Sequence, residues 1–403
     1  MKIAILTSGI LPVPAVQGGA VENLIDFYLE YNNLYRLHDI TVYSVWHPDV
    51  EHHTALTSEV NHYRYIDTSS MFAKIRRKLY KALHTHEYYN HYIEYFFEQA
   101  YRHIKKEHYD CIILENRPGY VYKLSRRGGT NLMLHLHNDL LHSDTQHCLD
   151  IYNHLKRVIT VSDYIKQRVE TIPTPCPAPN NKVVTVYNGI NLDHFKRQPS
   201  STITREIVGF SDDDFVLVYS GRLNKDKGIA QLIDAMLLLK DLPQIKLMIL
   251  GSTFFGDAIN ENDFVRSLKE KSQLISQRLL FTGFVPYERM PEYLQLADVA
   301  IIPSVWPEPF GLTVVEAQAM GLPTITTRQG GIPEIVSDDN AVIVSTDQCF
   351  VNHLADAIRL LYNSPQQRSK MAAAALQNST HYDKEHYSHE FFNALESIST
   401  DES

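Results

Sequence analysis

Short, almost wholly apolar runs rich in β-branched residues recur between amphipathic stretches along this chain. The first six are "KIAIL" (2–6), "ITVYSV" (40–45), "CIILE" (111–115), "NLMLHLH" (131–137), "RVITVS" (157–162) and "KVVTVYNG" (182–189). Continuous apolar strands separated by helical patterns predict a parallel sheet covered on both faces. The pattern restarts at 215 with "FVLVYSG", "IKLMILG" (245–251), "LLFTGFV" (279–285), "VAIIPS" (299–304) and "PTITT" (323–327), which predicts a second doubly wound α/β domain. Between the two, 191–214 is polar, carries Pro199 and lacks an apolar period, so it reads as a linker. The expected domains are therefore 1–195 and 196–382, with a C-terminal helix over about 383–403 that can return to the first. Ligands of such sheets bind at the carboxyl ends of the strands, so two sheets facing across a cleft would carry their chemistry in the strand-to-helix loops.

Composition narrows the classes. The 403 residues are 44% apolar and 21% charged, enough for two proper cores. A net charge of -9 argues against a nucleic-acid partner, which normally demands a basic excess. The cysteines at 111, 148, 176 and 349 have no metal-ligand spacing and read as reduced thiols. "MKIAILTSGILPVP" reads as a first strand rather than a signal peptide, and no run approaches the roughly 18 apolar residues of a membrane span. A cytoplasmic location follows as an expectation, with a peripheral one on the inner face of the cell membrane left open. The first loop lacks a GxGxxG turn, so no nicotinamide or flavin cofactor is expected. Asp212, Asp213 and Asp214 precede a strand and read as a turn; no metal is expected.

Three loops of the second half carry candidate chemistry. In "YSGRLNKDKGIAQLIDAMLLL" (219–239) Arg222 and Lys227 bracket a helix starting near Gly228, and two cations at a helix N-terminus suit a diphosphate. In "SVWPEPFGLTVVEAQAMG" (304–321) Glu308 precedes a helix that ends at Gly321, and Glu316 lies about five residues into it. At ~1.5 Å per residue the second carboxylate stands ~7 Å beyond the helix start, about the span of a diphosphate. Each carboxylate can accept from a vicinal diol, which suits a nucleotide sugar. In "TTRQGGIPEIV" (326–336) Gly330 and Gly331 allow close backbone approach, and Pro333 opens a helix.

These loops resemble the retaining glycosyltransferases of family 4, with the GT-B architecture. The pattern E-x-F-G-x-x-x-x-E reads here as Glu308, Phe310, Gly311 and Glu316. The resemblance implies that Glu316 holds the ribose, Glu308 a hydroxyl of the donor sugar, and Arg222 with Lys227 the pyrophosphate. It puts Val285, Pro309 and the amides of Phe310, Gly311 and Leu312 along the donor, with Thr313 adding a hydroxyl. "QGGAVENLI" resembles the family's glycine loop, with Gly18 and Gly19 toward the phosphates. "LMLHLHNDLL" resembles the strand end bearing its active-site histidine; alternation puts His135 and His137 on one side, and His137 is chosen, with Asn138 beside it. Glu115, Asn116 and Arg117, in "ILENRPGYV", become acceptor-side candidates together with Asn138. The implied reaction moves a hexose-type sugar from a nucleoside diphosphate, UDP being the commonest, to a saccharide or lipid-linked acceptor in cell-surface polysaccharide or glycoconjugate assembly. It would proceed with retention and without metal or enzyme nucleophile. A nucleotide-sugar 2-epimerase of the same fold and a two-lobed binding protein are the alternatives.

"SMFAKIRRKLYKALHTH" (70–86) predicts a basic amphipathic helix. Met71, Phe72, Ile75, Leu79, Ala82 and Leu83 form its stripe, and Lys74, Arg76, Arg77, Lys78 and Lys81 its other faces. Such a helix fits an anionic membrane surface, or packs its stripe on the sheet.

Overall fold

The computed structural model describes residues 1–83, 91–174, 181–199, 201–251 and 263–397, with the side chains of 81–83, 91 and 92 left aside. The chain divides into two compact units, Met1–Gly189 with Lys384–Ser403, and Ile190–Asp383.

The first unit holds seven strands: β1 (Lys2–Leu6), β2 (Asp39–Val45), β3 (Asn61–Ile66), β4 (Cys111–Glu115), β5 (Leu132–Leu136), β6 (Leu155–Thr160) and β7 (Val183–Thr185). All are parallel, in the order β3-β2-β1-β4-β5-β6-β7. Helices α1 (Ala20–Tyr35), α2 (Met71–Leu83), α3 (His91–Ile104), α4 (Pro118–Ser125), α5 (Cys148–His154) and α6 (Asp163–Glu170) lie between them. The second unit repeats the plan with β8 (Phe215–Ser220), β9 (Ile245–Leu250), β10 (Leu279–Gly283), β11 (Val299–Ile302), β12 (Thr324–Thr327) and β13 (Ala341–Val344), again parallel, in the order β10-β9-β8-β11-β12-β13. Its helices are α7 (Ile229–Leu238), α8 (Asp263–Ser272), α9 (Met290–Leu294), α10 (Leu312–Ala319), α11 (Phe350–Asn363) and α12 (Pro365–Ser379); α13 (Lys384–Glu396) belongs to the first unit. The apolar runs are buried because helices cover both faces of each sheet: Ile3 to Leu6 and Ile245, Leu247, Met248 and Ile249 are fully covered.

In each sheet the strand order reverses once, between β1 and β4 and between β8 and β11. At such a switch point the two neighbouring loops diverge and leave a crevice at the carboxyl ends of the strands.

The polar stretch 191–214 is not a swinging linker. Arg197 donates to the carbonyls of Met320 and Gln295, and Arg205 pairs with Asp298 at 3.0 Å, so its charges fasten it to the second unit. The break falls at 189/190 instead of 195/196, and Ile190 forms an isolated parallel bridge with Asp383. Helix α13 packs on α1, where Phe391 stacks on Tyr28 with ring centroids 4.2 Å apart.

Helix α2 leaves the described part of its apolar stripe uncovered; the side chains of Ala82 and Leu83 lie outside the described residues. Met71, Phe72, Ile75 and Leu79 are 79%, 62%, 50% and 59% exposed, while Ala73 is buried. Among the described residues no helix is long and apolar enough to cross a membrane. Cys111 is buried, Cys148 half-buried and Cys349 exposed, all free; Cys176 lies outside the described residues. Asp212–Asp214 do form a turn, in which the Asp214 carboxylate accepts from Ser211 N–H.

Candidate active site

In the second unit the loops after β8 and β11 flank the switch point and lock together through their backbones. Gly228, the residue before α7, has φ 68°, and a Cβ there would lie 1.8 Å from the Pro303 carbonyl oxygen. Val305 N–H donates to the Asp226 carbonyl at 2.9 Å. The loop after β12 joins them: Gly330 has φ 60°, a Cβ on it would meet the Glu308 carbonyl at 2.1 Å, and Gly331 N–H donates to that carbonyl at 2.7 Å. Only glycine fits positions that combine this backbone with such contacts. Gly331 itself has an ordinary φ of -80°, and "IPE" forms one 3-10 turn (Ile332–Glu334) where a full helix was expected, because Ile335 leaves helical geometry and its carbonyl accepts from Gln318 Nε2 of α10.

This locking sets the Glu308 side chain. Its Oε1 accepts from Lys227 Nζ at 2.5 Å and from Ser304 Oγ, and the carboxylate is nearly buried. Lys227 is three-quarters covered. Its own N–H is capped by the Asn224 side chain, which holds the loop in a short 3-10 turn before α7. Arg222 lies on the same loop, exposed, its carbonyl accepting from the Tyr219 phenol at 2.9 Å.

Gly311, with φ 112°, opens α10. The first amides of the helix, from Leu312 and Thr313, have no intrahelical acceptors and remain available at its positive end. Pro309, Leu312 and Thr313 are partly exposed, whereas the Phe310 ring is buried edge-on to Tyr382. Helix α10 closes on Gly321 at φ 67°, with Leu322 N–H bonding to Ala317 O and Gly321 N–H to Gln318 O, the Schellman arrangement. Glu316 is half-buried, and loss of water around it pushes its carboxyl up to about 7. Burial, and next the charge of Glu316, raises the Tyr287 phenol, which sets the loop after β10 beside Glu316; Val285 sits in that loop, partly exposed.

In the first unit Gly18 and Gly19 have φ 73° and 114°, and Gly19 opens α1. A Cβ on Gly19 would lie 2.3 Å from Glu22 Oε2, while Gly18 has open space on that side. Glu22 is buried, takes a long contact from Ser8 Oγ, and is raised to about 7 by burial.

The strand ends of β4 and β5 form a buried polar knot. Glu115 has no exposed surface, and both histidines aim at its Oε2, His137 Nε2 at 2.8 Å and His135 Nδ1 at 3.1 Å; Tyr28 Oη donates to its Oε1 at 2.9 Å. Burial works to raise the Glu115 carboxyl, but the two histidines outweigh it and hold it near 2. Burial and then His135 lower His137 to about 4, so its imidazole is neutral at physiological pH. Glu, His and His lie close enough to share a metal ion. The far nitrogens, His135 Nε2 and His137 Nδ1, are buried without partners. With a metal at the near nitrogens the far ones would carry unpaired N–H groups, whereas metal-bound histidines ordinarily donate that proton to a neighbour. The donor set therefore fits a hydrogen-bonded carboxylate better than a cation.

Asn116, after β4, adopts φ 58°; it bonds the His135 carbonyl through N–H and accepts from His137 N–H. Arg117 donates Nε to the Ser8 carbonyl at 3.1 Å. Asn138 is exposed. Ser304, Tyr28 and Glu22 were not singled out from sequence, since each acquires its partner only through the fold.

Two family profiles match the chain. "Glycosyltransferase Family 4" spans residues 32–194 and "Glycosyl transferases group 1" spans 200–378. The chain belongs to the family-4 glycosyltransferases. This glycosyltransferase is 28% identical over 386 residues to spore coat protein SA of Bacillus subtilis strain 168, covering 92% of each chain. It is 27% identical over 236 residues to the lipopolysaccharide 1,2-N-acetylglucosaminetransferase of Salmonella typhimurium, 57% of this chain and 58% of that one. Among solved structures, Anabaena HepE in complex with UDP-glucose superposes with a TM-score of 0.73 at 22% identity, over 98% of this chain and all of that one. Sucrose-phosphate synthase from Thermosynechococcus elongatus gives 0.74 at 18% over the full length of both. The fold is GT-B.

Proposed function

We propose that this glycosyltransferase moves a hexose-type sugar from a nucleoside-diphosphate sugar, with UDP as the carrier, to a saccharide or lipid-linked acceptor in cell-surface polysaccharide or glycoconjugate assembly. The observation that carries this reading is the grouping of Lys227 with Glu308 before α10 and of Glu316 five residues into it, beside the free amides of a helix N-terminus. The UDP-glucose bound by HepE and the lipopolysaccharide sugar transfer of the Salmonella relative support the choice of donor and pathway class.

In this mechanism the donor's bond between C1 and the phosphate oxygen breaks and the acceptor oxygen bonds C1 on the same face. The acceptor proton passes to the departing phosphate. Negative charge grows on that phosphate, and Arg222, Lys227 and the first amides of α10 meet it where it develops. Binding lets Lys227 turn from Glu308 toward the diphosphate, freeing Glu308 to accept from a hydroxyl of the transferred sugar, while ionised Glu316 accepts from the ribose diol. Gly18 and Gly19 remain the first unit's candidates for the phosphates, and His137 for a sugar hydroxyl. The protein supplies cationic side chains at the leaving group, so the reaction proceeds without a metal in this proposal.

The exposed stripe of α2, flanked by Lys74, Arg76, Arg77 and Lys78, supports an anionic membrane surface as partner; the side chain of Lys81 lies outside the described residues. A thermal-shift screen against UDP, GDP, ADP and their sugars, with and without EDTA, tests the proposal: a ligand at 100 times its Kd adds ~2.7 kcal/mol. Stabilisation by UDP and UDP-sugars that survives EDTA is expected; stabilisation by none of them would overturn it.

A further inference from the structure

The Glu308 carboxylate takes both of its protein donors on one oxygen. Lys227 Nζ reaches Oε1 at 2.5 Å, and Ser304 Oγ donates to the same atom. Oε2 accepts from none of the described residues. It is not one of the sealed, unpartnered oxygens among them either, and the Glu308 side chain keeps one-tenth of its surface open. Oε1 is thus doubly held, while Oε2 is left for a ligand.

The two donors differ in how firmly they are mounted. Lys227 carries its ammonium on a flexible four-carbon stem and is one-quarter exposed. Ser304 has no exposed surface and lies two residues beyond the end of β11. Its segment is fastened from both sides. Thr326 Oγ1 donates to the Ile302 carbonyl at 2.9 Å and Thr327 Oγ1 to the Ser304 carbonyl at 2.7 Å, which ties it to β12. On the other side the Pro303 carbonyl abuts Gly228, and Val305 N–H donates to the Asp226 carbonyl of the loop before α7. The ammonium can follow a ligand; the serine hydroxyl stays where the two sheet loops hold it.

This asymmetry matters when a diphosphate draws Lys227 away. A carboxylate withdrawn from water and stripped of its last donor carries the whole cost of its desolvation and is free to rotate. With Ser304 in place, Oε1 keeps a charge-assisted hydrogen bond and Oε2 keeps its direction.

We propose that Ser304 is a positioning residue of the donor site, holding Glu308 by Oε1 so that Oε2 accepts from a hydroxyl of the transferred sugar once Lys227 has moved to the diphosphate. The proposal rests on the donor-site reading of Lys227 and Glu308 and names the group that lets the exchange between them occur.

The test is calorimetric titration of UDP, UDP-glucose, UDP-galactose and UDP-N-acetylglucosamine into the full chain at pH 8. The proteins are wild type, Ser304→Ala, Ser304→Cys, Glu308→Ala and the double variant of Ser304→Ala with Glu308→Ala. Ser304→Ala should leave UDP affinity unchanged, since UDP lacks the sugar, and should weaken the UDP-sugar that wild type binds best by about threefold to tenfold. Ser304→Cys, close in volume and a weaker donor, should lose less, and it carries the test if the alanine variant does not fold. In the Glu308→Ala background, Ser304→Ala should cost nothing further for that UDP-sugar, because the hydroxyl acts only through the carboxylate. A merely structural serine would instead weaken UDP and the UDP-sugar alike. Such equal losses, unchanged affinity for every UDP-sugar in the folded Ser304 variants, or an undiminished further loss in the Glu308→Ala background would overturn the proposal and leave the donor reading standing. Wild type that binds no UDP-sugar would overturn the donor reading itself.

Discussion

Lys227 and Glu308, 81 residues apart in sequence, form a 2.5 Å ion pair across two loops that Gly228 and Gly330 hold in register. Both groups are mostly withdrawn from water, so each is costly without the other. A ligand that offers an anion to Lys227 and a hydroxyl to Glu308 replaces the pair without leaving either charge unsatisfied.

Arg222→Ala and Lys227→Ala are each expected to weaken nucleoside diphosphate binding by roughly 1.5–3 kcal/mol, the worth of a charge-assisted hydrogen bond. Arg222→Ala should leave the melting temperature unchanged because the side chain is exposed. Lys227→Ala should lower it, since Glu308 is then buried without its cation. Calorimetric titration of UDP together with thermal melts checks both; full affinity in both variants would remove the diphosphate assignment.

Glu316 carries a pH signature. Its folded carboxyl is raised to about 7, so its contribution favours the folded state below its unfolded value near 4.5 and is lost as pH rises through 7. Glu316→Gln should therefore melt higher than wild type at pH 8, by up to roughly 2 kcal/mol after allowance for its partial exposure, and equally near pH 4.5. If the ionised form holds the ribose, wild-type affinity for UDP-glucose should fall below pH 7, and this slope should be absent in Glu316→Gln. Flat affinity between pH 8 and 6 in wild type would separate Glu316 from the donor.

The Glu115 knot acts in the opposite direction. Glu115 is depressed to about 2 and His137 to about 4, so both favour folding at neutral pH, and stability is lost as pH falls below about 6.5, first through His137. Glu115→Gln should cost roughly 1.5–3 kcal/mol at pH 7, because two imidazoles and the Tyr28 hydroxyl lose a charged acceptor. Urea unfolding at pH 7 and pH 5 measures it: both forms should lose stability at pH 5 through His137, and the difference between them should be nearly kept, because Glu115's own contribution is lost only below about 4.5.

Helix α2 should bind anionic vesicles in low salt and release them in high salt, as surface charge at the membrane is screened over about a Debye length. Reversing Arg76, Arg77 and Lys78 to glutamate should abolish co-sedimentation. Equal sedimentation of both forms would return the helix to an ordinary surface element.

Eleven strands were legible as apolar runs: nine are central parallel strands, buried on both faces, and two, β7 and β10, are edge strands whose sequences are still apolar runs. Strand β3, "NHYRYI", escaped because it is an edge strand with one wet face and alternates. Strand β13, "AVIV", four residues at the other edge of the second sheet, was missed as well. The stretch 191–214 looked like a linker because its charges bond to carbonyls and to Asp298, contacts that composition does not reveal. Glycine spacing before α7 and α10 made the loops of the second unit visible, since those backbones require glycine. The convergence of Glu115, His135, His137 and Tyr28 was not legible beyond the two histidines sharing a face, because the carboxylate and the phenol arrive from β4 and α1. Whether α2 buried its stripe or left it outside was open from sequence, since both outcomes use the same spacing.

The most direct measurement of the donor-site account is calorimetric titration of UDP into wild type, Glu308→Gln and Glu316→Gln at pH 8. Glu316 is assigned to the ribose and Glu308 to the transferred sugar, which UDP lacks. The expected result is UDP affinity reduced about tenfold or more in Glu316→Gln, and retained or improved in Glu308→Gln, where Lys227 is released to the diphosphate. Equal losses in both variants, or no loss in Glu316→Gln, would contradict it.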